Sequence, residues 1–169
     1  VACTLADQLS IPTVLVPLSP GTFSAWGALT LDVVHDFSAT SVMTLATLDG
    51  EPFATTFLQL CEQAEEMLGR EGIPPERRNL LLSVDMRYEG QEHVLSVPVD
   101  ASMARELDAD RLRKLFDGRH LAAYGFSSTD EAEVTTYRVR QVGTLTKPGR
   151  KALQQARDTV ESARVGSRH

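Results

Sequence analysis

The residues of this chain whose types and spacing could do chemistry are concentrated in one run, Asp85-Met86-Arg87-Tyr88-Glu89-Gly90-Gln91. On an extended strand alternate side chains share a face, so Asp85 and Arg87 stand about 7 Å apart along it. They can pair with each other or reach a shared partner. Two readings stand side by side: the pair orients a substrate or docks a neighbouring domain, or it is a salt bridge flanking a hairpin whose turn residue is Gly90. Any substrate or domain contact made by this chain is expected at Asp85, Arg87 and Gln91.

Other candidates carry less. Pro20-Gly21-Thr22-Phe23-Ser24 could offer free backbone N–H groups to an anion at a helix start, or simply turn and cap the chain. Nucleophilic catalysis needs a Ser or Cys beside a His and an acid, and His35, His93, His120 and His169 sit in no such motif. His120, four residues before Tyr124 on one helical face, reads as a packed or hydrogen-bonded histidine rather than a base. Cys61 lies in an apolar stripe beside Glu62, Glu65 and Glu66, surroundings that raise a thiol pKa and disfavour the reactive thiolate. Cys3 and Cys61 show no CxxC or Cys/His spacing, so no metal site is expected and both read as reduced and packed.

The elements that position these residues follow from periodicity. Val1 to Leu9 is a helical pattern, followed by Thr13-Val14-Leu15-Val16 between Pro12 and Pro17, which suits a buried strand of an α/β unit. The Pro20-Gly21 turn leads into a short helix in which Gly27 suggests a close helix contact. From Leu31 to Leu45 the β-branched text reads as extended chain passing from one domain to another. Pro52 fits the first position of a helix whose apolar residues Phe53, Phe57, Leu60, Cys61, Ala64 and Leu68 form one stripe, ending between Gly69 and Gly72. Leu80 to Tyr88 alternates as a strand, turns at Glu89-Gly90-Gln91-Glu92 and returns from His93 to Val99 as a hairpin. Asp108 caps a helix bearing Leu112, Leu115, Phe116 and Ala123, with Gly125 as its stop and Gly118 loosening its middle. A last strand runs from Glu133 to Val142. Beyond Pro148 a thin, alanine-rich helical stripe follows.

Composition narrows the function classes. The 169 residues are 42% hydrophobic and 24% charged, the balance of a globular protein long enough for a real core. A net charge of −6 argues against a nucleic-acid partner, although the tail from Lys147 onward is basic. No apolar run reaches membrane-spanning length and no signal core opens the chain, so a cytoplasmic protein is expected. The chain starts at Val1, without Met and inside a helical pattern, and reads as truncated there.

The run Val16-Pro17-Leu18-Ser19-Pro20-Gly21-Thr22-Phe23-Ser24-Ala25-Trp26-Gly27-Ala28-Leu29-Thr30-Leu31-Asp32 resembles the family of N-methylhydantoinase A, 5-oxoprolinase and acetone carboxylase subunits. The Asp85 to Gln91 run is similar to that family's Asp-x-Arg-Tyr-x-Gly-Gln signature, and Phe116, His120, Tyr124 and Gly125 resemble its later Phe, His and Tyr-Gly positions. The resemblance covers residues 1 to 146. It implies that 1–32 are the remnant of an actin-like, ATP-binding domain, that 33–146 form a carboxy-terminal domain, and that 147–169 are a basic helical or disordered tail.

The resemblance further implies a parent enzyme that uses ATP and a divalent cation such as Mg to hydrolyse a cyclic amide. The nucleotide and metal groups would lie upstream of Val1, with none in this stretch. Its partners would be the upstream ATPase domain of the same subunit and a B-type subunit, with homo-oligomerisation possible. The fold expected is α+β: an α/β remnant, then antiparallel strands packed with amphipathic helices. On this reading the chain is not catalytically competent alone and has a structural and subunit-docking role. Two rivals are a stand-alone interaction or oligomerisation module and a piece of a ketone carboxylase subunit.

Overall fold

The computed structural model describes residues 2–17 and 20–149. Two compact units emerge, residues 32–145 and residues 1–31 with 146–169.

The larger unit is built on a four-stranded antiparallel sheet in the order β1-β4-β2-β3, with β1 at Val33–Thr44, β2 at Arg78–Tyr88, β3 at Leu95–Val99 and β4 at Ala132–Gly143. One face is covered by helices. The longest, α3 (Gly50–Arg70), starts where the Asp49 side chain accepts a hydrogen bond from Glu51 N. Pro52 stands third in that helix rather than first, still within the turn whose N–H groups lack intrahelical partners. Of its buried stripe, Phe53, Phe57, Leu60 and Ala64 meet Val84, Met86, Tyr137 and Val139 of the sheet in one core, and Leu68 is buried near Gly143. Phe53, Phe57 and Tyr137 meet edge-on, with centroids 5.1–5.4 Å apart, the arrangement that aligns ring edges with ring faces.

The strand at Val33–Thr44 corrects the expectation of an interdomain connection over Leu31 to Leu45. It is an edge strand, in register with β4 from Val33↔Gly143 to Thr44↔Glu133. Its burial alternates because only one of its faces is covered. The Leu80–Tyr88 strand and its hairpin form as expected, with β3 starting at Leu95 rather than His93, and Gly90 adopts φ +82 in the turn. β4 lies between β1 and β2, and an extra residue, Thr135, bulges between the pairs Asp85↔Thr136 and Met86↔Val134. At its end Gly143 leaves no room for a side chain, because a Cβ there would run into the Ile73 side chain.

Helix α5 (Ala109–Tyr124) is capped by Asp108, which accepts from Arg111 N at 2.9 Å, and stops at Gly125 with φ +80. It runs unbroken through Gly118. Leu115 and Ala123, expected on its apolar face, are exposed, and His120 joins Leu112 and Phe116 inside instead. A further short helix, α4 (Ala101–Arg105), had no periodicity long enough to reveal it. Asp100 caps it by accepting from Met103 N at 2.9 Å. Hydrogen bonds from Ser102, Met103 and Arg111 hold the Asp100 carboxyl well below the usual range.

In the smaller unit, α1 spans Ala2–Gln8 and α2 spans Phe23–Ala28 after a 3-10 turn at Pro20–Thr22. The expected buried strand is not there. Residues 11–17 are irregular, and Leu15 is 88% exposed. A strand needs a neighbour for its backbone hydrogen bonds, and none of the described residues of this unit supplies one. No strand of an α/β unit forms among the described residues of this unit. Gly27 makes no close contact either, since a Cβ there would meet nothing within 4 Å. Phe23 and Trp26 stack at 6.3 Å, with Phe23 exposed. The helical stripe expected beyond Pro148 falls on residues outside the described ones from position 150.

Candidate functional site

Tyr88, at the end of β2, is fully buried among groups from α5 and the loop that follows it. Its ring meets Phe116 and His120 edge-on, each at 4.8 Å, and the Arg113 guanidinium lies 5.3 Å from its centroid. Its hydroxyl donates to Asp117 Oδ1 at 2.7 Å and accepts from Ser128 N at 2.9 Å. Burial pushes this phenol above its usual pKa, with the Asp117 contact acting in the same direction. His120 is also buried, ringed by Tyr124 and Phe126, each at 4.7 Å. Its Nδ1 lies 2.8 Å from the Phe126 carbonyl, which can only accept, so Nδ1 carries the hydrogen. The packed, hydrogen-bonded reading of His120 holds, and the two sequence motifs meet in one aromatic hub that ties the hairpin to α5.

The other sheet face carries the polar residues, in cross-strand rows fixed by register. One row runs Asp36, Arg140, Leu81; the next Ser38, Arg138, Ser83, Pro98; the next Thr40, Thr136, Asp85, Ser96. Asp85 and Arg87 do not pair with each other. Arg138 Nε donates to Asp85 Oδ2 at 2.6 Å, and Arg87 Nε donates to Glu133 Oε1. Of the two readings, ion pairing is what the geometry shows, with both partners on β4. Gln91 sits in the hairpin turn, where its backbone N–H donates to the Tyr88 carbonyl at 3.0 Å.

Arg138, Arg140 and Asp36 had no part in the expected site. Their signal was the alternation of Arg138 and Arg140 with Tyr137, Val139 and Gln141, a two-residue period that puts both arginines on the face opposite the core. Arg140 grips Asp36 through Nε and Nη2 at 2.6 and 2.9 Å. That grip holds the Asp36 carboxyl below its usual range, Arg138 adding to the effect, and raises Arg140 in turn. Cys61 behaves as its surroundings dictate, its thiol pushed up by burial and by Glu65.

Among the described residues no group of three or more His, Cys, Asp or Glu side chains could hold a metal ion. The Pro20–Thr22 turn leads only into a six-residue helix, and Thr22 makes no side-chain cap there. No helix of the described residues is long and apolar enough to cross a membrane.

No protein-family model matches the chain. An uncharacterized protein of Methanocaldococcus jannaschii is 34% identical over 146 residues, and the alpha subunit of caprolactamase from Pseudomonas jessenii is 26% identical over 148. Each match takes in 85% of this chain but only about a fifth, 20% and 21%, of the relative. Among solved structures, the ATP-dependent caprolactamase from Pseudomonas jessenii superposes with a TM-score of 0.69 and 25% identity over 93% of this chain and 23% of that one. Nucleotide-free acetone carboxylase also gives 0.69, at 21% identity, over 79% and 21%, a likeness of fold. In sequence and fold the chain is thus similar to caprolactamase and acetone carboxylase, both members of the hydantoinase/oxoprolinase family. Of the residues in which the chain resembles that family, Tyr88, Phe116 and His120 pack together and join hairpin to helix, and Gly125 ends the helix.

Proposed function

We propose that these residues are the carboxy-terminal portion of the large subunit of an ATP-dependent enzyme that hydrolyses a cyclic amide, and that their role is to complete that subunit. The observation carrying this is the match to caprolactamase alpha, which runs through nearly all of this chain yet takes in a fifth of that subunit. The chemistry present agrees with a supporting role. The acids and arginines of the sheet face hold one another, and His120 is buried among aromatic rings. Residues 1–32 would close the ATP-binding domain and 33–146 would form the carboxy-terminal domain. Leu5, Leu9, Leu15, Val16, Phe23 and Leu29 are all exposed, more apolar surface than a short segment leaves bare without a partner. The ATP-binding part of the same polypeptide would cover it, and a B-type subunit would complete the assembly. ATP and a divalent cation would be held by that other part. Asp85, Arg87 and Gln91 would serve a substrate or domain contact, the first two through the β4 residues they hold and Gln91 from the turn.

Ketone carboxylation is the second reading, favoured by the equal fold likeness to acetone carboxylase. The higher identity and wider coverage of the caprolactamase match support amide hydrolysis as the first reading. The test is to purify the full polypeptide containing these residues with its partner subunit. ATP-dependent opening of caprolactam, hydantoin and 5-oxoproline is then assayed beside bicarbonate-dependent carboxylation of acetone. Ring opening coupled to ATP consumption is expected. Carboxylation alone would shift the assignment to the second reading, and neither reaction would overturn both.

A further inference from the structure

The helix-free sheet face holds a cleft of about 540 Å³, within the size range of small-molecule sites, lined among others by Ser38, Leu81, Ser83, Ser96, Pro98 and Arg138. Arg138 is its centre. Register places Ser38 on one side of it and Ser83 on the other, with Pro98 beyond. Its side chain is 52% exposed, while the Asp85 side chain that anchors it is only 6% exposed. That anchor takes Nε alone, and among the described residues neither terminal nitrogen of Arg138 donates a hydrogen bond. Arg140, by contrast, is used on both Nε and Nη2 by Asp36.

A guanidinium held from behind by a buried carboxylate is fixed in direction, and its free end presents two parallel N–H donors. That fork matches the two oxygens of a carboxylate. The hydroxyls of Ser38 and Ser83, its cross-strand neighbours, can donate to the same oxygens, and Leu81 and Pro98 offer apolar surface to whatever carries the group. The charges of this face cancel, Arg87, Arg138 and Arg140 against Glu133, Asp85 and Asp36, so recognition would rest on hydrogen-bond geometry more than on long-range attraction.

We propose that the Ser38, Ser83, Ser96 and Arg138 cleft binds the carboxylate of a small organic acid, with Arg138 as the binding residue and Asp85 as its positioning residue. Its test is separate from that of the function proposed above, because it measures binding by this chain as it stands. The experiment is a titration of the isotope-labelled 169-residue chain with glutarate, followed by the arginine Nε–H and backbone amide resonances. Saturable, millimolar shifts confined to Arg138, Ser38, Ser83 and Ser96 are expected. Arg138→Lys keeps a cation for Asp85 but loses the fork, and it should weaken binding about tenfold while the spectrum stays folded. Arg111→Gln, outside the cleft, should bind as the parent does. Shifts that do not saturate, or saturable shifts unchanged in Arg138→Lys, would overturn the proposal. So would binding of an acidic peptide without binding of glutarate, which would make the face a protein contact.

Discussion

Tyr88 and Asp85 differ by three positions on one strand and face opposite problems. Tyr88 must keep a hydroxyl satisfied inside the core, and Asp85 must keep a charge satisfied on the other face. Tyr88→Phe leaves the ring packing intact but strands the Asp117 and Ser128 groups, and a loss of about 1–2 kcal/mol in urea unfolding is expected. Removing an arginine from either ion pair of the sheet face separates burial from mere pairing. Arg138→Ala leaves a buried carboxylate alone and should cost about 1–3 kcal/mol, whereas Arg140→Ala frees an exposed Asp36 and should cost under about 1 kcal/mol. Equal losses would show that burial of Asp85 is not what matters. The pH dependence has two edges with different signs. Asp36 is depressed, so its contribution is present above the ordinary carboxylate pKa of about 4 and is lost as pH falls through the lowered value. Tyr88 is raised, so its contribution is full below about pH 10 and is lost as pH rises through the folded value. Thermal melts across pH should fall away at both ends.

At the scale of elements, α3 carries the core and Gly143 sets how closely its C-terminal region approaches the sheet. Phe57→Ala should cost about 3–5 kcal/mol by denaturant unfolding, through lost burial and the cavity left beside Phe53 and Tyr137. Gly143→Ala should cost about 1–3 kcal/mol, because the added methyl must displace Ile73, and a shorter residue at position 73 should recover part of it. Which elements could be read from the residues follows from the same physics. The α3 stripe, the alternation of Leu80 to Tyr88 and the Asp108 and Gly125 ends of α5 are local patterns, and each formed where its pattern lies. The edge strand β1 was misread because its burial depends on pairing with β4 about a hundred positions away. Helix α4 is too short for a period to show. The Thr13–Val16 strand failed for the reverse reason, since its pattern is local but its neighbour is not among the described residues. The Asp85 and Arg87 partners on β4 were hidden for the same non-local cause, and with them the place of Arg138.

At the scale of the molecule, the unit of residues 32–145 has a closed core and a polar face laced by ion pairs, while Leu5, Leu9, Leu15, Val16, Phe23 and Leu29 of the other unit are exposed. That contrast, with a chain spanning about a fifth of its curated relatives, is why its role is proposed as completing a larger subunit rather than acting alone. The claim turns on where nucleotide chemistry resides. Titration calorimetry of Mg-ATP into this 169-residue chain, and into the full polypeptide that contains it, measures this directly. Saturable binding by the full polypeptide and none by the 169-residue chain is the predicted result. Saturable binding by the 169-residue chain alone, or no binding by either, would contradict it.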